Sequence, residues 1–158
     1  MTSNIATISA VAPAIGVTNQ ARAWQRYVVP IGRALFAVIF ILSGPTHFAA
    51  ASIGYAAKVG LPFAGLLVPA SGIVAMVGGL SVLLGYRARI GAWLLVLFLI
   101  PVTLTMHNFW SMTDPMMAQM HLAMFMKNVA MLGGALLLAY WGAGPLSLDA
   151  RQHQAVTR

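Results

Sequence analysis

Four stretches of the chain, about residues 28–50, 63–84, 90–108 and 118–141, are mostly apolar, and their only charged residues are Arg33 and Lys127. At about 1.5 Å of rise per residue each is long enough, as a helix, to cross a hydrocarbon layer of about 30 Å. The residues between them are turn formers and anchors. Lys58, Gly60 and Pro62 precede the second stretch, and the short turn Gly85-Tyr86-Arg87-Ala88-Arg89 forces the second and third to be antiparallel neighbours. Trp110, Asp114 and Pro115 separate the third from the fourth, which stops at Gly142-Ala143-Gly144-Pro145. Pro101 is expected to bend the third span, and the small residues of the second, including Gly72, Gly78 and Gly79, suit close helix packing. The fold class predicted is all-α: an integral membrane four-helix bundle of four transmembrane helices.

The domain organisation follows from the same pattern. Residues 1–25 read as a flexible tail ending in an interfacial anchor around Trp24, Arg26 and Tyr27, without the basic opening of a secretory signal peptide. Residues 26–149 form the four-span domain and 150–158 a C-terminal tail. Arg33, one to two turns inside its span, is expected to snorkel to the headgroups. It is also expected to pair with Asp149, the only acid on that side.

Composition sharpens the assignment. Sixty per cent of residues are hydrophobic and 7% charged, far from a soluble domain. The net charge of +7 arises from nine Lys and Arg against Asp114 and Asp149. In a membrane chain it reads as topology, not as nucleic-acid binding. Seven arginines fall on one side of the expected membrane, with Lys58, Lys127 and Asp114 towards the other, so both termini are expected in the cytoplasm. Absence of Cys excludes disulfides, thiolate metal sites and cysteine redox relays.

Candidate chemistry lies in the outer half. His47 and His107 each end a span, His121 lies near the start of the fourth, and Lys127 is about 9 Å deeper along that helix. Ser43 with His47, Thr103 with His107, and His121 with Asn128 share faces by their helical spacing. With Asn108 and Lys127 they form a candidate ligand-binding set: Ser43, His47, Thr103, His107, Asn108, His121, Lys127 and Asn128. A central cation costs about 3 kcal/mol on insertion scales, which singles out Lys127. The Met cluster from Met116 to Met131 reads as packing, and no metal site is expected. His47 and His107 as cross-helix haem ligands are not favoured, since no Cys-x-x-Cys-His motif exists. Hydrolytic motifs are missing too, so no self-sufficient catalytic site is visible and enzymatic activity stays open.

Several ordered motifs carry a family resemblance: Ile41-Leu42-Ser43-Gly44-Pro45-Thr46-His47-Phe48, Gly78-Gly79-Leu80 to Gly85, His107-Asn108-Phe109-Trp110, Phe125-Met126-Lys127-Asn128 to Gly133-Gly134, and Gly144-Pro145-Leu146-Ser147-Leu148-Asp149. The chain resembles the DoxX family of small bacterial four-helix membrane proteins. That resemblance implies the bacterial cytoplasmic (inner) membrane, and some relatives are associated with thiosulfate:quinone oxidoreduction or oxidative-stress assemblies. Ala75 stands where many relatives carry a Glu, which removes the acidic partner that Lys127 would otherwise have. The function expected is an accessory subunit or scaffold of a quinone-linked redox assembly, with quinone the candidate cofactor. Its partners would be the lipid bilayer and a redox protein or further copies of the chain. The alternative is a small-solute or ion transporter or channel acting as an oligomer.

Overall fold

The computed structural model describes residues 19–156. They form six helices: α1 (Asn19–Ser43), α2 (Ala50–Lys58), α3 (Ala64–Leu84), α4 (Ala88–Met106), α5 (Pro115–Trp141) and α6 (Leu148–Val156). Short 3-10 turns at Gly44–Phe48 and Phe109–Ser111 follow α1 and α4, and no strand occurs among the described residues. Four helical stretches are long and apolar enough to span a membrane: Trp24–Phe48, Ala64–Leu84, Ala88–Ser111 and Pro115–Trp141. The four-span all-α architecture read from the sequence is therefore the one observed.

The packing is arranged for a lipid solvent. Leu35, Leu42, Leu66, Leu97, Leu137, Tyr140 and Trp141 point outward, whereas the fully buried positions include Ala37, Ala75, Ala88, Ala92 and Ala135. Lipid tails are as apolar as Leu, so small residues that let backbones approach gain more by being inside. The helices pack in the order α1, α3, α4, α5. Gly79 meets Phe40 and the Ala37 carbonyl of α1, while Gly78 meets Leu95 and the Gly91 carbonyl of α4, so one glycine pair serves both neighbours of α3. Gly134 of α5 receives the ring of Phe36, and Gly133 faces open space. Phe40, Leu95, Leu99 and Val82 fill the centre.

Helix ends explain several boundaries. Asp114 accepts from the Met117 amide at 2.8 Å and Pro115 opens α5, which moves its start ahead of the expected residue 118. Gly85, at φ 64°, ends α3: its amide bonds the Val82 carbonyl and the Tyr86 amide bonds that of Ser81, a Schellman motif.

Three features differ from expectation. Residues 19–25, assigned to the tail, continue α1; the remainder of that tail, 1–18, lies outside the described residues. The connection after the first span contains α2, which packs on α3 through Ala56, Ala64 and Val68, with Ile53, Leu61 and Met106 around them. The C-terminal tail contains α6, and its approach is anchored rather than loose.

That anchorage corrects the reading of Arg33. The side chain is buried, with 4% of its surface exposed, and does not snorkel. Its guanidinium donates to the carbonyls of Ala143 at 2.6 Å and Leu146 at 3.0 Å. The expected pair with Asp149 does not form among the described residues: the Asp149 carboxylate instead accepts from the backbone amides of Arg87 at 2.7 Å and Ala88 at 3.0 Å. A helix with no acid in its first turn thus receives its N-cap from the C-terminal segment. The Asp149 amide returns a bond of 2.8 Å to the Gly85 carbonyl, and Ser147 caps α6 by accepting from Ala150.

Candidate functional site

The histidine end of the bundle is built on close backbone approach. A side chain on Gly72 would lie 2.7 Å from the His47 Cβ and 2.8 Å from the Gly44 carbonyl, and one on Gly44 would run into Met76. With both positions bare, the 3-10 turn presses onto α3 and fixes His47 across Gly72. Its Nδ1 lies 3.0 Å from the Ser43 carbonyl, and its ring meets Phe98 edge-on at 5.8 Å between centroids. The sequence pairing of Ser43 with His47 is real, although the carbonyl rather than the hydroxyl makes the contact.

From α4 and α5 come the other two histidines. His107 ends α4 and meets His121 edge-on, with ring centroids 5.7 Å apart. His121 is buried at 7% exposure. Nδ1 of each ring and Oδ1 of Asn108 are buried without a hydrogen-bond partner among the described residues. Such atoms are costly in an apolar setting, which makes this corner a polar reserve rather than packing. Beside it, Phe109, Trp110 and Phe125 form an edge-to-face cluster.

Lys127 and Asn128 complete the site from α5. The Lys127 ammonium has a thioether as its neighbour, Met124 Sδ at 3.4 Å, a weak acceptor for a charged donor. Asn128 is buried, and among the described residues its amide has no hydrogen-bond partner. Both border a half-open cavity of about 770 Å³. Its walls come from α1, α3, α4 and α5, and Ala51, Ser52, Tyr55 and Ala56 of α2 line it too. Ser52 holds that helix to the preceding turn by donating to the Thr46 carbonyl at 2.7 Å.

Of the eight residues singled out from the sequence, Ser43, His47, His107, Lys127 and Asn128 line this cavity. Thr103 does not; it is buried and its hydroxyl donates to the Leu99 carbonyl of its own helix at 2.5 Å. Asn108 and His121 do not line it either; His121 touches the cavity-lining His107 ring. Sequence reasoning missed Ser52 and Tyr55 because α2 was read as connection, although Ile53 and Ala56 recur at helical spacing. Among the described residues no group of three or more His, Cys, Asp or Glu is arranged to hold a metal ion.

The DoxX family model matches residues 28–108, just over half of the chain. The chain belongs to the DoxX family. The matched segment contains Ser43, His47, Thr103, His107 and Asn108, and stops short of His121, Lys127 and Asn128. Two relatives from Escherichia coli strain K12 extend the similarity. Inner membrane protein YphA is 28% identical over 123 residues, which cover 77% of this DoxX chain and 87% of YphA. Inner membrane protein YqjF is 31% identical over 124 residues, covering 77% of the chain and 88% of YqjF. No solved structure matches. The bacterial inner membrane read from the sequence agrees with both relatives, and this DoxX protein is a multi-pass membrane protein.

Proposed function

We propose that this DoxX protein is an accessory subunit of a membrane redox assembly and holds the head of a quinone in the cavity at its histidine end. The observation that carries the reading is the mismatch inside that cavity. Its walls are overwhelmingly apolar, yet the unpartnered Asn128 amide and the Lys127 ammonium both border it. A quinone offers an apolar ring and tail together with carbonyl acceptors, which is the complementary arrangement. Lys127 and Asn128 would donate to a carbonyl, with His107 or His47 serving the opposite side of the ring. When bound, the quinone supplies two-electron carrier chemistry, and the partner subunit supplies the reductant or oxidant. This reading places the arginine-rich end in the cytoplasm and opens the cavity towards the outer leaflet.

Transport by a single chain is less well supported. The polar groups stop at the histidine end, and Phe40, Leu95 and Leu99 close the bundle beyond them.

Purified protein titrated with a water-soluble short-chain quinone tests the proposal. Lys127→Met is expected to weaken binding about tenfold or more, the worth of a hydrogen bond from a charged donor, and Asn128→Leu is expected to add to that loss. Equal binding by wild type and both variants would refute the site, as would absence of quinone from protein extracted gently from its own membrane.

A further inference from the structure

A second concavity of about 720 Å³ lies at the opposite end of the molecule, between the start of α4 and the end of α5. Arg89 and Trp93 line it from α4, and Leu136, Ala139, Tyr140 and Trp141 from α5. We propose that this groove is a specific site for an anionic phospholipid, independent of the quinone site.

Charge complementarity is the first argument. The Arg89 guanidinium makes no hydrogen bond or ion pair among the described residues, and the acid nearest in function, Asp149, is committed to the Arg87 and Ala88 amides. The Arg89 side chain is exposed and lies against the protein surface. Its Nε lies 3.2 Å from where a Cβ of Gly142 would be, so the side chain lies across the end of α5 because that residue is glycine. A fork of donors at a membrane interface and lacking an acceptor suits a phosphate oxygen.

The second argument is the gradient along the groove. Trp93 stands one helical turn beyond Arg89, and Tyr140 and Trp141, edge-to-face at 5.1 Å, form the facing wall. All three aromatics are exposed, as rings at the headgroup level are. Leu136 and Ala139 continue the surface towards the middle of the bundle, where an acyl chain would lie. A free anion would need only the arginine end, whereas an amphiphile uses the whole length. Basic pockets between transmembrane helices recognise acidic headgroups in this way.

Delipidated full-length protein in detergent, titrated with phosphatidylglycerol, phosphatidylcholine or inorganic phosphate and read by native mass spectrometry and thermal unfolding, tests the proposal. Phosphatidylglycerol is expected to bind and stabilise. Arg89→Gln should weaken that binding about fivefold, one cationic contact at a membrane surface, and Arg89→Lys should retain most of it. Arg151→Gln, which changes an exposed cation of the same end but outside the groove, should leave it unchanged. Trp93 and Trp141 fluorescence, isolated by Trp24→Phe and Trp110→Phe, should be quenched by a brominated-chain phosphatidylglycerol. Equal binding of phosphatidylcholine, full competition by inorganic phosphate, an equal loss in Arg151→Gln, or absence of quenching would each overturn it.

Discussion

Single side chains settle different questions at the two ends of this molecule. Arg33 and Asp149 are structural, because among the described residues every side-chain hydrogen bond they make is with backbone that a helix end or loop leaves unsatisfied. Replacing Asp149 with Ala strips the cap from α4 and is expected to cost about 0.5–2 kcal/mol, measured as a lowered midpoint of unfolding in detergent. Arg33→Met leaves the buried Ala143 carbonyl and the part-buried Leu146 carbonyl without that donor and should cost about 1–3 kcal/mol on the same scale. A neutral result for either would remove that residue's backbone contacts from the account of stability. Charge alone suggested that Arg33 and Asp149 would pair, since Asp149 is the sole acid on its side, yet among the described residues each bonds backbone and no ion pair joins them. What they bond to was not legible, because the partners are carbonyls and amides, which every sequence possesses. Lys127 was legible as an oddity for the same reason, an ionisable group far from other charges, and its Met124 neighbour supplies no competing explanation.

At the level of elements, the spans could be read directly because hydropathy and length alone decide what crosses a membrane. Helix α2 could not, since nine residues of small and mixed side chains look like connection until α3 and Met106 provide a surface for Ala56. The glycines separate into those that matter and those that do not. Gly72→Ala would set a Cβ against the Gly44 carbonyl and the His47 Cβ, so it should destabilise by about 1–3 kcal/mol and displace His47 from the cavity. Gly133→Ala, with open space around it, should be neutral or stabilising by up to about 1 kcal/mol through helix propensity. Unfolding curves of the two variants side by side check both statements. His47 of the first span and His107 of the third each lie where a long helix passes into a 3-10 turn. Gly78 and Gly79 of α3 each meet a different helix, whereas of Gly133 and Gly134 in α5 only Gly134 is in contact.

Taken whole, the bundle is polarised along its axis, with polar side chains and a cavity at one end and arginines with an aromatic groove at the other. The absence of cysteine makes its orientation directly measurable. Ser52→Cys at the histidine end is expected to react with a membrane-impermeant maleimide in intact cells, and Ala155→Cys in α6 only after permeabilisation. The reverse pattern would place the cavity on the cytoplasmic side and move the proposed quinone site to the inner leaflet. A pocket at the histidine end was legible from the shared helical faces of its polar residues, whereas the groove at the arginine end was not, because its two walls meet from separate helices and carry no polar spacing to announce it.

The cap on α4 also imposes an order in time. Asp149 is synthesised 61 residues after the Ala88 amide it satisfies, so the helix at the centre of the bundle enters the bilayer with its first turn incomplete. Closure waits until α5 has crossed back and residues 143–149 have folded over the α3–α4 turn. A nascent chain halted before that point would hold four spans in the membrane and still lack the lock that joins its last segment to its first helix.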